Sequence, residues 1–238
     1  MPAADRVTRD GALAGAAAVI FDMDGVLVDS ERPLLGLLHE LLLADGVDLD
    51  PASLRSVCGR PAGFTRAFLA AHIADPERLD AFLTRYEAAK RALVASGTIR
   101  AFPRTPDVLA LLRRRALRLA VATSTLAEQA HARLARVDLA RWFDHVVTGD
   151  QVARGKPAPD IFLLAAERLG VAPAACIVVE DSAAGVQGGL DAGMTVYALA
   201  TTFPPAELPE AHRVFADMDE LHAYLDGAPR AAPDPEGV

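Results

Sequence analysis

From about residue 103 to residue 199 the chain alternates between two kinds of segment, and this alternation constrains its fold more than any other feature. Helical stretches at 107–115, 125–136, 159–169 and 182–192 take turns with short apolar runs at 117–122, 145–147, 176–179 and 194–199. Apolar runs this short, without a polar face, read as strands buried on both sides. Helices between them supply the crossovers that parallel pairing demands. One more such run, Ala17 to Phe21, stands far upstream and completes the set. The expected fold is α/β: a Rossmann-like parallel sheet with helices on both faces.

Between the first strand and the second lies a stretch of different character. Leucines at 34, 35, 37, 38, 41, 42 and 43 make too long a run for a strand, so Pro33 to Ala44 is expected to be a helix that stops at Gly46. Arg66 to Ile73 and Pro76 to Ser96 follow as helices, the latter with Pro76 just inside its start and Gly97 just past its end. No strand is expected from Val47 to Thr98. The expected organisation is a core of residues 1–31 and 101–227, an all-helical cap of residues 32–100, and a disordered Pro-rich tail at 228–238.

Composition narrows the functional classes. With 52% hydrophobic and 24% charged residues the chain can bury a sizeable core. Its 32 acidic against 24 basic side chains, a net charge of −8, disfavour nucleic acid as a partner, because a polyanion needs Lys and Arg to displace its counterions. No run of about 18 apolar residues predicts a membrane span, and residues 1–16 lack the order of a secretory signal. Cys58 and Cys176 are too far apart for a metal-binding or redox pair and read as small buried hydrophobes. A monomer in the cytoplasm, acting on a small molecule, is the expectation.

Ligands of an open parallel sheet bind beyond the carboxyl ends of its strands. There this chain places Asp22-Met23-Asp24-Gly25, then Thr123-Ser124, then a loop with Lys156-Pro157, then Glu180-Asp181. Asp22, Asp24, Glu180 and Asp181 gathered in one cleft repel one another and persist mainly around a cation. All-oxygen donors shared with water and a phosphate favour Mg²⁺. Lys156 is one of only two lysines, the other being Lys90, so it is no sample of a lysine-rich surface. Carboxylates, magnesium, a lysine and a hydroxyl suit phosphoryl transfer, where positioning and charge stabilisation do most of the work. Two of these segments could serve merely as helix caps. Thr125 with Glu128 has the spacing of a capping box, and Asp181 or Ser182 could cap the next helix.

The ten residues Phe21 to Ser30 resemble the first motif of the haloacid dehalogenase-like hydrolase superfamily. Thr123 after Val121-Ala122, Lys156 within Gly155 to Asp160, and Glu180-Asp181-Ser182 after Ile177 to Val179 resemble its other three motifs, in order. The helical insert is similar to the cap of the subgroup containing β-phosphoglucomutase and sugar-phosphate phosphatases. The resemblance implies that Asp22 is the nucleophile, forming an aspartyl-phosphate, and that Asp24 is the general acid and base. It implies that Thr123, Ser124 and Lys156 bind the phosphoryl group. The carboxylates of Asp22 and Asp181 with the carbonyl of Asp24 would hold Mg²⁺, with Glu180 assisting directly or through water. Arg60 is the expected cap contact to the substrate. Mutases of that subgroup carry a histidine early in the first cap helix, whereas residues 31–38 here contain none. The expected activity is therefore a Mg²⁺-dependent phosphatase acting on a small phosphate ester such as a sugar phosphate, with a sugar-phosphate mutase as the alternative. A second departure is Arg104-Thr105, where relatives carry Pro-Gly on the return to the core.

Overall fold

The computed structural model describes residues 13–58, 62–208 and 210–227. The expected tail at 228–238 and Arg60 lie outside these residues. In chain order the elements are β1 (Ala18–Phe21), β2 (Val28–Asp29), α1 (Glu31–Ala44), α2 (Pro51–Arg55), α3 (Ala62–Ala70), α4 (Pro76–Ser96), β3 (Arg100–Ala101), α5 (Thr105–Arg114) and β4 (Arg118–Thr123). They continue with α6 (Ala127–Arg136), β5 (His145–Thr148), α7 (Asp160–Leu169), β6 (Cys176–Glu180), α8 (Ala183–Asp191), β7 (Thr195–Leu199), β8 (Arg213–Phe215) and α9 (Met218–Asp226).

Six strands form one sheet in the order β5-β4-β1-β6-β7-β8, and every neighbouring pair is parallel. Successive residues of β1 serve opposite faces. Val19 and Phe21 pack in a cluster with Leu109 of α5, Leu134 of α6 and Leu221 of α9. Ala18 and Ile20 pack in another with Phe162 of α7 and Val186 of α8. Burial on both sides is why these strands are uniformly apolar.

Helices α1 to α4 are inserted between β1 and β4 and enclose an apolar centre of their own that includes Leu38, Leu54, Leu69 and Phe82. Helix α4 has the expected bounds. Asp75 accepts hydrogen bonds from the backbone N–H of Glu77 (2.9 Å) and Arg78 (3.2 Å), Pro76 occupies the first turn, and Gly97 ends the helix at φ 79°. The outgoing and returning crossings of the insert pair with each other as an antiparallel ribbon, Val28 with Ala101 and Asp29 with Arg100.

Several expectations shift. Helix α1 begins two residues earlier than read and α3 four residues earlier, and the short α2, capped by Asp50, was not foreseen. Strand β8 and helix α9 extend the sheet region past residue 199, where no element was expected. Among the described residues no helix is long and apolar enough to cross a membrane. Both cysteines are buried and free.

Candidate active site

Strand β1 has β4 and β5 to one side and β6, β7 and β8 to the other. Loops leaving the carboxyl ends of the strands diverge at such a switch point and open a crevice. Phe21 pairs in register with Val121 of β4 and Val179 of β6. Asp22, Thr123 and Glu180 therefore emerge at nearly one level, although they come from three distant parts of the chain. The loop between β5 and α7 brings in Lys156.

Lys156 is the hub of this cluster. Its buried Nζ donates to Asp22 Oδ1, to Glu180 Oε1 at 2.6 Å and to the carbonyl of Ala122 at 3.0 Å, and it lies 5.0 Å from the centre of the Phe162 ring. Burial disfavours the charged ammonium, but Asp22 and Glu180 more than offset it and hold Lys156 above its ordinary value. Burial, with Glu180 and Asp24 nearby, pushes Asp22 up to about 8 against the pull of Lys156. Burial with Glu180 and Asp22 drives Asp181 well above the usual carboxylate range, opposed by a hydrogen bond from Thr202.

Glu180 was expected beside the metal, and both of its oxygens are already engaged by protein donors. Oε1 takes Lys156, while Oε2 accepts the N–H of Asp181 (2.8 Å), the N–H of Ser182 (3.0 Å) and the hydroxyl of Ser182 (3.0 Å). Ser182 also accepts from Gly185 N–H at 3.1 Å, so it is the cap of α8. Two glycines make room for the carboxylates. A Cβ on Gly185 would lie 1.8 Å from Glu180 Oε1, and one on Gly25, at φ 82°, would lie 1.8 Å from Asp181 Oδ2.

Asp24 is gripped on both oxygens. Ser30 Oγ and Arg133 Nη1 donate to Oδ1, and Thr125 Oγ1 donates to Oδ2 at 2.8 Å. Thr125 is thus no helix cap, contrary to the capping-box reading. Helix α6 starts one residue later than that reading requires, and Asp150, reaching over from the turn after β5, accepts the N–H of Ala127 at 3.1 Å. Thr123, buried, accepts the N–H of Thr125 at 3.1 Å.

A cavity of about 710 Å³ separates this edge from the helical insert. Asp22, Asp24, Thr123, Ser124 and Lys156 line one wall, while Arg66, Tyr86 and Lys90 line the other. The structure thus brings the four sequence segments together. Ser30, Thr125 and Arg133 were missed as partners of Asp24. Ser30 closes the first motif, Thr125 follows Thr123-Ser124, and Arg133 is a charge on the apolar stripe that also carries Ala130 and Leu134, but nothing in the sequence pairs any of them with Asp24.

Four strand-end segments in one crevice, with a helical insert facing them, agree with the comparisons. Residues 16–193 match the family model for haloacid dehalogenase-like hydrolases. The chain belongs to that family. This hydrolase is 36% identical to the phosphorylated carbohydrates phosphatase of Thermotoga maritima over 177 residues, 74% of this chain and 82% of the relative. It is 35% identical to the fructose-1-phosphate phosphatase YqaB of Escherichia coli over 179 residues, 75% and 93% of the two chains. The crystal structure of CbbY from Rhodobacter sphaeroides in complex with phosphate superposes with a TM-score of 0.73 at 28% identity, covering 89% of the hydrolase and 99% of CbbY.

The donors of the hydrolase are of the kind a hard divalent cation takes. Among the described residues no three acidic side chains are grouped so as to hold one by themselves, which leaves two carboxylates and a backbone carbonyl as its candidate ligands. Asp22, Asp24, Glu180 and Asp181 meet the positive charges of Lys156 and Arg133. With the carboxylates ionised, the cluster keeps an excess of two negative charges. Burial makes that excess costly, so it is relieved by protons or by a divalent ion. Asp181 retains oxygen lone pairs that protein donors do not fill, and all the donors are oxygen.

Proposed function

We propose that this hydrolase is a Mg²⁺-dependent phosphatase that cleaves a small phosphate ester, a sugar phosphate, through an aspartyl-phosphate on Asp22. The observation that carries the reading is the placement of Asp24. A second carboxylate, two residues beyond the nucleophile, is held by three donors on the wall that also presents Asp22 and Lys156. Nucleophile and proton carrier side by side suit ester hydrolysis in two displacements.

In the first displacement a carboxylate oxygen of Asp22 attacks phosphorus, and Asp24 delivers a proton to the departing alkoxide. In the second, Asp24 takes a proton from water as the water oxygen attacks phosphorus and the bond to Asp22 breaks. Lys156 and Thr123 hold the phosphoryl oxygens, and Lys156 keeps Asp22 aligned. Asp22 and Asp181 with the carbonyl of Asp24 would hold Mg²⁺, and Glu180 would assist through water, because its own oxygens are engaged. The ion supplies positive charge where negative charge accumulates in the transition state. Arg66, Tyr86 and Lys90 face the leaving group from the insert, which serves as a cap and excludes water.

Two relatives named as phosphatases of phosphorylated carbohydrates and of fructose 1-phosphate support a sugar-phosphate substrate. Phosphatase is favoured over mutase because the first histidine of α1, His39, lines a separate cavity of about 400 Å³ rather than the catalytic one. The test is a phosphate-release screen over sugar phosphates with Mg²⁺ present. Asp22→Asn should reduce turnover at least about 10³-fold with the fold intact, and EDTA should remove the activity and Mg²⁺ restore it. Residual turnover within tenfold of the parent would sink the nucleophile assignment.

A further inference from the structure

Helix α6 buries Ala130, Arg133 and Leu134 on one face. The Arg133 side chain is 6% exposed, and its Nη1 donates to Asp24 Oδ1. Its Nε is buried with no hydrogen-bond partner. A buried guanidinium N–H without an acceptor is destabilising, and an apolar residue would suit this stripe better. Stability does not account for an arginine here, but its contact with Asp24 does.

We propose that Arg133 is a positioning residue that fixes Asp24 for the second displacement and thereby sets the lifetime of the phosphoenzyme. The inference rests on the phosphatase reading. Arg133 and Ser30 on one oxygen, with Thr125 on the other, prevent the carboxylate from rotating. Ser30 is the N-cap residue of α1, at the root of the insert, whereas Thr125 follows β4 and Arg133 lies on α6, so two of the three donors belong to the core. Asp24 therefore stays aligned when the insert stands away, which is when the alcohol leaves and water arrives. In that step the water oxygen bonds to phosphorus, the phosphorus–oxygen bond to Asp22 breaks, and one water proton passes to Asp24, replacing the proton it gave to the alkoxide. Inorganic phosphate and the free Asp22 carboxylate remain. A phosphoenzyme that meets an aligned base is short-lived, which commits the chain to hydrolysis rather than to transfer onto a second sugar.

The test uses p-nitrophenyl phosphate, whose leaving group needs no proton, with Mg²⁺. The parent should release nitrophenolate steadily. Arg133→Met should give a burst approaching one equivalent per enzyme, then a steady rate about 10²-fold lower, with KM lowered in proportion so that kcat/KM stays within about threefold. Acid quenching should trap phosphate on Asp22, and Arg133→Lys should recover most of the rate. A crystal structure of Arg133→Met should show the Asp24 carboxylate turned away from Thr125. A steady rate within threefold of the parent without a burst would overturn the proposal, as would an unmoved Asp24. If Arg133→Met does not fold, Arg133→Gln takes its place in both measurements. If the parent releases no phosphate from any ester, the phosphatase reading fails by itself, and the orientation of Asp24 in the variant crystal still decides whether Arg133 positions it.

Discussion

The carboxyl edge of the sheet and the interior of the helical insert are both buried, yet they are built in opposite ways. At the edge, contacts are ionic and span long stretches of sequence. Lys156 meets Asp22 across 134 residues, and Arg133 meets Asp24 across 109. In the insert the interior is leucine and phenylalanine, and ion pairs such as Arg66–Asp80 sit on exposed positions. Apolar contact is tolerant of detail, whereas a buried charge without its partner is not. The edge therefore sacrifices stability to hold a reactive arrangement, and the insert supplies packing and shape.

Lys156→Met should break this contrast most severely. It strands two buried carboxylates, so a loss of about 3–5 kcal/mol in denaturant unfolding should accompany a fall of at least about 10²-fold in kcat. Phe82→Ala should cost a similar 3–5 kcal/mol, but kcat of the folded enzyme should stay within about threefold, because the cavity opens inside the insert. If Phe82→Ala lost activity as Lys156→Met does, the two regions would be coupled and the contrast would fail.

The pH dependence sharpens the comparison. Asp22 titrates near 8 when folded against an ordinary 3.8, and Asp181 is raised in the same sense. A raised carboxylate stabilises the fold fully below its unfolded value, and that share is lost as pH rises from about 4 to about 8. The melting temperature without metal should therefore carry a falling contribution over this window, smaller in Asp22→Asn, which keeps only the share of Asp181. Mg²⁺ should raise the melting temperature more at pH 8 than at pH 5.5, because at low pH it competes with bound protons. Equal shifts at both values would remove the link between these carboxylates and the ion.

The smallest effect concerns the return crossing. Arg104 sits at φ 64°, where a side chain is strained, and its ion pairs to Asp107 and Asp219 are exposed. Arg104→Gly should stabilise the protein by about 0.5–1 kcal/mol in urea unfolding, with kcat unchanged. Proline cannot adopt φ 64°, so the comparison with Pro-Gly at 104–105 is off by one: the proline is Pro103, and Arg104 holds the left-handed position.

Strands β1 and β4 to β7 were legible because burial on both faces leaves uniform apolar runs, and strand ends marked where polar residues converge. Strands β2 and β3, at two residues each, are too short to carry a period. Strand β8 is three residues long, and the stripe of Met218, Leu221 and Leu225 in α9 went unread. Within the site, residue types marked Asp22, Asp24, Thr123, Lys156 and Asp181. What residue types do not show is who donates to whom. Thr125 has the local spacing of a cap, yet a carboxylate 101 residues away takes its hydroxyl. Glu180 has the chemistry of a ligand, yet neighbouring N–H groups had already engaged it.

The ribbon of β2 and β3 has one more consequence. Its strand β2 is bonded into the turn that carries Asp24, through Gly25 N–H to Val28 O at 2.9 Å and Leu27 N–H to Met23 O at 2.9 Å, and Phe102 N–H reaches Leu27 O at 3.0 Å. Both connections thus share one hydrogen-bonded knuckle. A change of helices beyond that knuckle therefore leaves the strand-end loops of the sheet in place.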